Sequence, residues 1–256
     1  MNQVPKVSLI MPTYNEEEYV VETLNSIFAQ TYRDFELIIV NDCSHDNTYK
    51  IIEEYLHKSH PEIVITIINH EKNQGIAATR QTGVNLARGK YIAFCSADDA
   101  LEPDFLKDMV EVAEKNPNKV IFCYYKIMDA KGEVFGQCRE VQNFETFEDF
   151  KLAVWQQARQ DTMFVMWDCV LIPTEIHKKI PYWSEIRYGE DLQWLLESVV
   201  IHNVPYVLLP KVLAKYRMHP KNTTTQKLGE IHSNNLRIIA RIEALMKNEK
   251  ANNSAS

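Results

Sequence analysis

The sequence predicts an α/β fold with a mostly parallel central sheet and helices on both faces. Three observations predict it. Short apolar runs alternate with amphipathic stretches through the first half of the 256 residues, the pattern of successive βαβ units. The apolar runs are nearly continuous, as in strands buried on both faces. Apolar residues make up 45% and charged residues 25% of the chain, which excludes disorder, collagen-like repeats and a small disulfide scaffold.

Taken in order, Val7–Met11 reads as a buried strand, and Glu16–Gln30 has helical spacing through Val20, Leu24, Ile27 and Phe28. Phe35–Val40 is the second strand, followed by a helix over Asp46–Leu56. Ile63–Ile68 is the third, then a helix over Ile76–Ala87 and a fourth strand over Tyr91–Cys95. Pro103 suits the first turn of a helix running to Lys115, and Val120–Tyr125 is the fifth strand. Beyond residue 128 the rhythm breaks. A turn at Lys131-Gly132-Glu133 precedes a Phe- and Trp-rich helix over Phe144–Gln160 and a strand over Trp167–Ile172. A helix over Asp191–Ile201 then leads into two short strands, Val204–Leu209 and Val212–Met218. Residues 1–127 and 128–225 are expected to form two halves of one domain, with 226–256 a C-terminal helix and frayed tail.

A net charge of −7 and a pI near 5.7 argue against a nucleic-acid binder. The five cysteines, Cys43, Cys95, Cys123, Cys138 and Cys169, include no CxxC pair and read as buried reduced thiols. Neither a signal peptide nor an apolar run long enough to span a bilayer is visible, so a cytoplasmic location is expected. The final segment places Leu236, Ile239, Ile242 and Leu245 on one helix face. That face has three uses: packing on the domain, a homodimer contact, or peripheral contact with the inner face of a membrane.

In a parallel sheet, ligands bind beyond the carboxyl ends of the strands. The clusters there are Thr13-Tyr14-Asn15-Glu16, Asn41-Asp42-Cys43-Ser44, Asn69–Asn73 and Ser96-Ala97-Asp98-Asp99. With neither GxGxxG nor GxxxxGK[ST] present, dinucleotide binding and P-loop hydrolysis lose their support. Asp42 is a candidate for a base or ribose, and Ser44 or Asp46 for the next helix cap. Backbone N–H groups around Asn73-Gln74-Gly75 can hold an oxygen, with Arg80 within reach. Adjacent Asp98 and Asp99 repel each other unless a cation intervenes, and a divalent ion bridging a diphosphate would satisfy both. Glu190-Asp191 opens a helix, either as a cap or as reactive acids. Arg217 and His219 end a strand as candidate partners of a diphosphate or a metal.

These residues resemble family 2 glycosyltransferases of the GT-A, Rossmann-like fold. The resemblance rests on the run Val7–Glu16 with its Pro12-Thr13-Tyr14-Asn15-Glu16 end, and on Phe35–Thr48. It continues through Asn73-Gln74-Gly75, Arg80, Ala87–Ile92, Asp98-Asp99, Gly189-Glu190-Asp191 and Tyr216–His219. It spans about residues 6–222, in order. It implies that Pro12, Thr13, Tyr14, Glu16, Asp42, Asn73, Gly75 and Arg80 line the nucleotide pocket. Ser96, Ala97 and Asp98 would face ribose and diphosphate, and Asp98, Asp99 and His219 would hold Mn²⁺ or Mg²⁺. Asp191, beside Glu190, would be the general base, and Arg217 would close over the diphosphate. Ser96 departs from the acid common at that position in the family and leaves first contact with the metal to Asp98.

The activity implied is inverting transfer of a sugar from a nucleoside diphosphate sugar, a UDP-sugar by resemblance, to a saccharide or lipid-linked saccharide acceptor. That chemistry belongs to bacterial polysaccharide or glycoconjugate synthesis. Two other readings stand beside it. One is a non-catalytic sugar-nucleotide-binding protein, which Ser96 favours. The other is a sugar nucleotidyltransferase, against which the acidic stretch Glu16-Glu17-Glu18 argues.

Overall fold

A computed structural model describes residues 4–59, 62–135, 144–160 and 167–254. Strand β1 (Val7–Thr13) and strand β2 (Phe35–Asn41) are buried at every position, as the continuous apolar runs require. They pair in parallel with each other, with edge strand β3 (Ile65–Asn69) and with β4 (Tyr91–Phe94). The register aligns Thr13 with Asn41 and Asn41 with Asn69, so three polar strand ends form one row. Between these strands run α1 (Val20–Phe28), α2 (Thr48–Ser59) and α3 (Ile76–Leu86). In α1, Val20, Thr23, Leu24 and Ile27 are buried, the i, i+3, i+4, i+7 stripe of an amphipathic helix. This helix begins at Val20 rather than at Glu16, because Asn15 takes a left-handed φ of 58° and Glu16 lies in the turn before it.

The other half of the sheet is mixed. A two-residue strand β5 (Ala100–Leu101) precedes α4 (Phe105–Lys115) and β6 (Val120–Met128). Helix α5 (Phe147–Arg159) starts on a capping box, with Thr146 accepting from the Asp149 amide and Asp149 reaching back to Thr146. A 3-10 turn over Trp167–Cys169 opens β7 (Val170–Pro173), which runs antiparallel between β4 and β6. Then come α6 (Thr174–Lys179), α7 (Glu190–Leu196) with a π turn over Glu197–Ile201, and β8 (Tyr206–Arg217). The chain closes with α8 (Thr223–Gln226) and α9 (Leu228–Ser254). Strand order is β3-β2-β1-β4-β7-β6-β8-β5.

Three further details differ from the sequence reading. The two expected strands around Pro210 are one strand, because register shifts opposite Cys123 and Tyr124 absorb the break. The antiparallel direction of β7 was invisible, since a strand buried on both faces reads alike whichever way it runs. Strand β5 and helix α6 are too short to leave a periodic signature.

Alternating residues face opposite layers. Ile10, Ile38, Ile92 and Phe94 join Trp194, Ile238 and Ile242 in one core, and Leu9, Leu37 and Ala93 join Leu24 and Phe105 in the other. The apolar face of α9 lies against the first core: Ile238 and Ile242 are fully buried, and Ile239, Leu245 and Met246 partly so. Leu236 remains 56% exposed. Among the described residues no helix is long and apolar enough to cross a membrane. Cys43, Cys95, Cys123 and Cys169 are free, with Cys43 half-buried and the others buried; Cys138 lies outside the described residues.

Candidate active site

The carboxyl edge of the sheet is organised first by the row Thr13, Asn41, Asn69. Asn41 Oδ1 accepts from Ser44 Oγ, and Ser44 Oγ in turn accepts from the Asn15 amide at 3.0 Å, which holds the Tyr14-Asn15 turn over β2. Asp46 caps α2 by accepting from the Thr48 amide at 3.0 Å, while Thr48 Oγ1 accepts from Glu16 N at 2.7 Å. Glu16 is thereby fixed at the mouth of the sheet. Pro12 and Thr13 are buried beneath it, and Tyr14 is exposed, its ring edge-on to His45.

Asp42 is buried and its carboxylate is occupied. Oδ1 accepts from the Gln74 amide and Oδ2 from the Gly75 amide, both at 2.8 Å, and Oδ1 also meets His70 Nδ1 at 2.8 Å. Asn73 Nδ2 donates to the Asp42 carbonyl at 3.2 Å. Asp42 therefore shapes the Asn73-Gln74-Gly75 loop. Gly75 has φ of +89°, which suits glycine.

The Ser96–Asp99 turn is clamped from α1: Thr23 Oγ1 donates to the carbonyls of Ala97 (2.9 Å) and Asp99 (2.7 Å). Its two aspartates point to different environments. Asp98 Oδ2 accepts from Asn222 Nδ2 at 3.1 Å and lies 3.2 Å from His219 Nε2. Glu16, Asp98 and His219 each bring a ligand-type atom within 4.8 Å of the others. Burial, with Asp98 and Asp46 adding repulsion, pushes the Glu16 carboxyl up to about 9. Glu16 Oε2 and His219 Nδ1 are buried with no hydrogen-bond partner. Asp99 falls outside this cluster. It is buried, accepts from the Arg217 amide at 2.8 Å, and is pushed well above the carboxylate range by burial and by Asp98 and Asp168.

Arg217 is also interior. Its guanidinium donates to the Asp98 carbonyl (2.7 Å) and the Asp129 carbonyl (3.3 Å), pairs with Glu22 at 2.6 Å, and lies over the Tyr19 ring. It braces the Asp98 turn from behind.

Across that turn stands a second cluster. Arg80 is buried, pairs with Glu190 and lies 3.9 Å from Asp168 Oδ1. Asp168 Oδ2 accepts from the Ser96 amide at 2.8 Å. The sequence reading passed over Asp168. The available signal was a carboxylate inside the run Trp167-Asp168-Cys169-Val170-Leu171-Ile172, which burial obliges to find a partner. Glu190 and Asp191 open α7, after Gly189 in a left-handed conformation. Burial pushes both carboxyls up while Arg80 pulls them back. Asp191 Oδ1 accepts from the Leu192 amide at 2.7 Å, which orients the half-buried carboxylate.

The edge thus presents a carboxylate–imidazole cluster able to hold a hard divalent cation, beside a carboxylate with a raised proton affinity. The chain matches the model of "Glycosyl transferase family 2" over residues 8–181. It is 37% identical over 147 residues to the putative glycosyltransferase EpsH of Bacillus subtilis, covering 57% of this chain and 40% of that protein. Its backbone resembles S. aureus TarS 1–349 in complex with UDP-GlcNAc, with a TM-score of 0.72, 22% identity, and 93% of this chain and 66% of that one covered. It also resembles the mannosyltransferase PcManGT of Pyrobaculum calidifontis in complex with GDP-Man and Mn²⁺, with a TM-score of 0.63, 18% identity, and 86% of this chain and 59% of that one covered. By the matched model, and with a fold and strand-end architecture of the GT-A kind, the chain belongs to glycosyl transferase family 2.

Proposed function

We propose that this chain transfers a sugar from a nucleoside diphosphate sugar, a UDP-sugar, to a hydroxyl of a saccharide or lipid-linked saccharide, with inversion at the anomeric carbon. The observation that carries the reading is the juxtaposition of two acid clusters across the Ser96–Asp99 turn. One is suited to a cation that meets a diphosphate, and the other offers a proton acceptor. TarS in complex with UDP-GlcNAc and PcManGT in complex with GDP-Man and Mn²⁺, which share the fold, support the donor class and the ion.

Glu16, Asp98 and His219 fit a Mn²⁺ or Mg²⁺ ion. Two carboxylates and an imidazole converge, and the buried, unpartnered Glu16 Oε2 and His219 Nδ1 leave polar capacity there unused. When bound, such an ion stabilises the charge of the departing diphosphate. Asp191 accepts the acceptor hydroxyl's proton as that oxygen bonds to the anomeric carbon. The bond from that carbon to the diphosphate oxygen breaks on the opposite side, and a single displacement inverts the configuration. Burial lifts the proton affinity of Asp191, and Arg80 opposes that rise. The loop shaped by Asp42, with Asn73 and Gly75, forms the wall for the nucleotide.

Thermal shift with a panel of sugar nucleotides tests the reading. The expected outcome is stabilisation by a UDP-sugar with Mn²⁺ that EDTA abolishes, together with UDP release on turnover. Pyrophosphate release from UTP and a sugar phosphate would instead favour a nucleotidyltransferase. Donor binding without any hydrolysis or transfer would favour a binding protein.

A further inference from the structure

Residues 181–189 join α6 to α7 and end in the Gly189-Glu190-Asp191 turn. On one side this segment is tied to the donor half. The Tyr182 amide donates to Gln81 Oε1 at 3.0 Å, and the Arg187 guanidinium donates to Asn73 Oδ1. The Arg187 side chain lies so close to Gly75 that a Cβ there would sit 2.5 Å from Arg187 Cγ. On the other side the segment is closed by α9. Asn234 Nδ2 donates to the Tyr188 carbonyl at 3.3 Å. Arg241 pairs with Glu185 and lies over the Trp183 ring, 3.9 Å from its centroid. Gly189 has φ of +84°, and a Cβ there would lie 2.7 Å from Asn235 Oδ1 and 3.3 Å from Ile238 Cδ1. The Asn235 and Ile238 side chains of α9 thus pack directly on the Gly189 backbone.

Helix α7 has seven residues and no side-chain cap at Gly189. The helix continues through the largely buried π turn to Ile201, and its uncapped first turn, which carries Asp191, is also held by what grips the segment before it. We infer that α9 is a positioning element for Asp191, acting through Asn234 and Arg241 on the segment that carries it. The inference rests on the assignment of Asp191 as the general base. It makes a helix outside residues 8–181, the span of the family match, part of the machinery that aims the proton acceptor. The Arg241–Glu185 pair is half exposed and as an ion pair contributes little. The guanidinium–indole contact is the stronger restraint, because indole is the ring best suited to a cation. Ile238 and Ile242, fully buried on the same helix, keep α9 in place when either polar contact is removed.

The test compares Asn234→Ala, Arg241→Ala and the double variant with Arg237→Ala, an exposed position of the same helix, and with Asp191→Asn. Two readouts are taken on the full chain: hydrogen exchange of residues 183–191 without ligand, and UDP release from UDP-GlcNAc with Mn²⁺. The double variant is expected to exchange faster over 183–191, with α1 unchanged. Its kcat is expected to fall about ten-fold with donor KM unaltered, the cost of a proton acceptor displaced by a fraction of an ångström. Arg241→Lys should restore most of the loss, because a cation is back over Trp183, and Arg237→Ala should match wild type. Wild-type exchange over 183–191 in the double variant overturns the inference. So does wild-type kcat in that variant when Asp191→Asn has lost turnover. Turnover retained by Asp191→Asn overturns the base assignment, and the inference with it.

Discussion

Glu16, Asp98 and His219 bring two carboxylates and an imidazole together, and among the described residues no arginine or lysine is bonded to the side chain of Glu16 or Asp98. Across the Ser96–Asp99 turn, Arg80 stands between Glu190 and Asp168. In the first cluster, burial and the repulsion of Asp98 and Asp46 raise the Glu16 carboxyl to about 9. The second carries its own cation, Arg80, which pulls the Glu190 and Asp191 carboxyls back against the rise that burial causes. An acid-rich strand edge is therefore not one electrostatic object. One part has, among the described residues, no cation on its carboxylates, and the other, beside Asp191, holds Arg80 within the fold.

The comparison is broken most severely at Arg80. Replacing it by Met leaves Glu190 and Asp168 buried without their cation, and about 3–5 kcal/mol of stability should be lost. Denaturant unfolding measures it, and a loss under 1 kcal/mol would show that the second cluster does not depend on its own cation. Next is Asp191→Asn, which should lower kcat at least about 10²-fold with donor affinity kept. Steady-state turnover and calorimetry separate the two effects. The first cluster is addressed by Glu16→Gln. Glu16 already holds a proton at pH 7 when no ion is present, so stability should hardly change. Mn²⁺ affinity measured by calorimetry should fall about ten-fold or more. Unaltered affinity would remove Glu16 from the ligand set. The smallest effect is on pH dependence. As the proposed base, Asp191 acts in its carboxylate form, so kcat should fall as pH drops through its raised pKa. The acidic limb should therefore lie above the ordinary aspartate value of about 4. A limb at or below that value would mean that burial does not govern Asp191.

Much of this edge was legible from residue order. Apolar runs of five to six residues, each followed by a polar cluster, place Glu16, Asp42, Asn73 and Asp98 at strand ends. Strand ends are local facts: a buried strand stops where its side chains become polar. What each acid does there was not legible. Asp98 and Asp99 are neighbours in sequence, but the turn closed by the Asp99 amide on the Ser96 carbonyl sends their side chains to different partners, one to His219 and the other to the Arg217 amide and Asp168. Arg217 reads as a free cation ahead of a proline, and its guanidinium is sequestered by Glu22, Tyr19 and two carbonyls contributed by distant segments. Asp168 was hidden because a single acid in an apolar run has no local partner, and its partners, Arg80 and Ser96, lie about 70 to 90 positions away.

By itself the sequence determined the βαβ rhythm, the strand ends and the family, because periodicity and strand-end polarity are set by neighbours within a few residues. Only the tertiary structure decided the direction of β7, the partition of acids into a cluster with His219 and a cluster around Arg80, and the docking of α9 behind the segment that carries Asp191. Each of these depends on which distant groups share a low-dielectric space, and chain order does not record that.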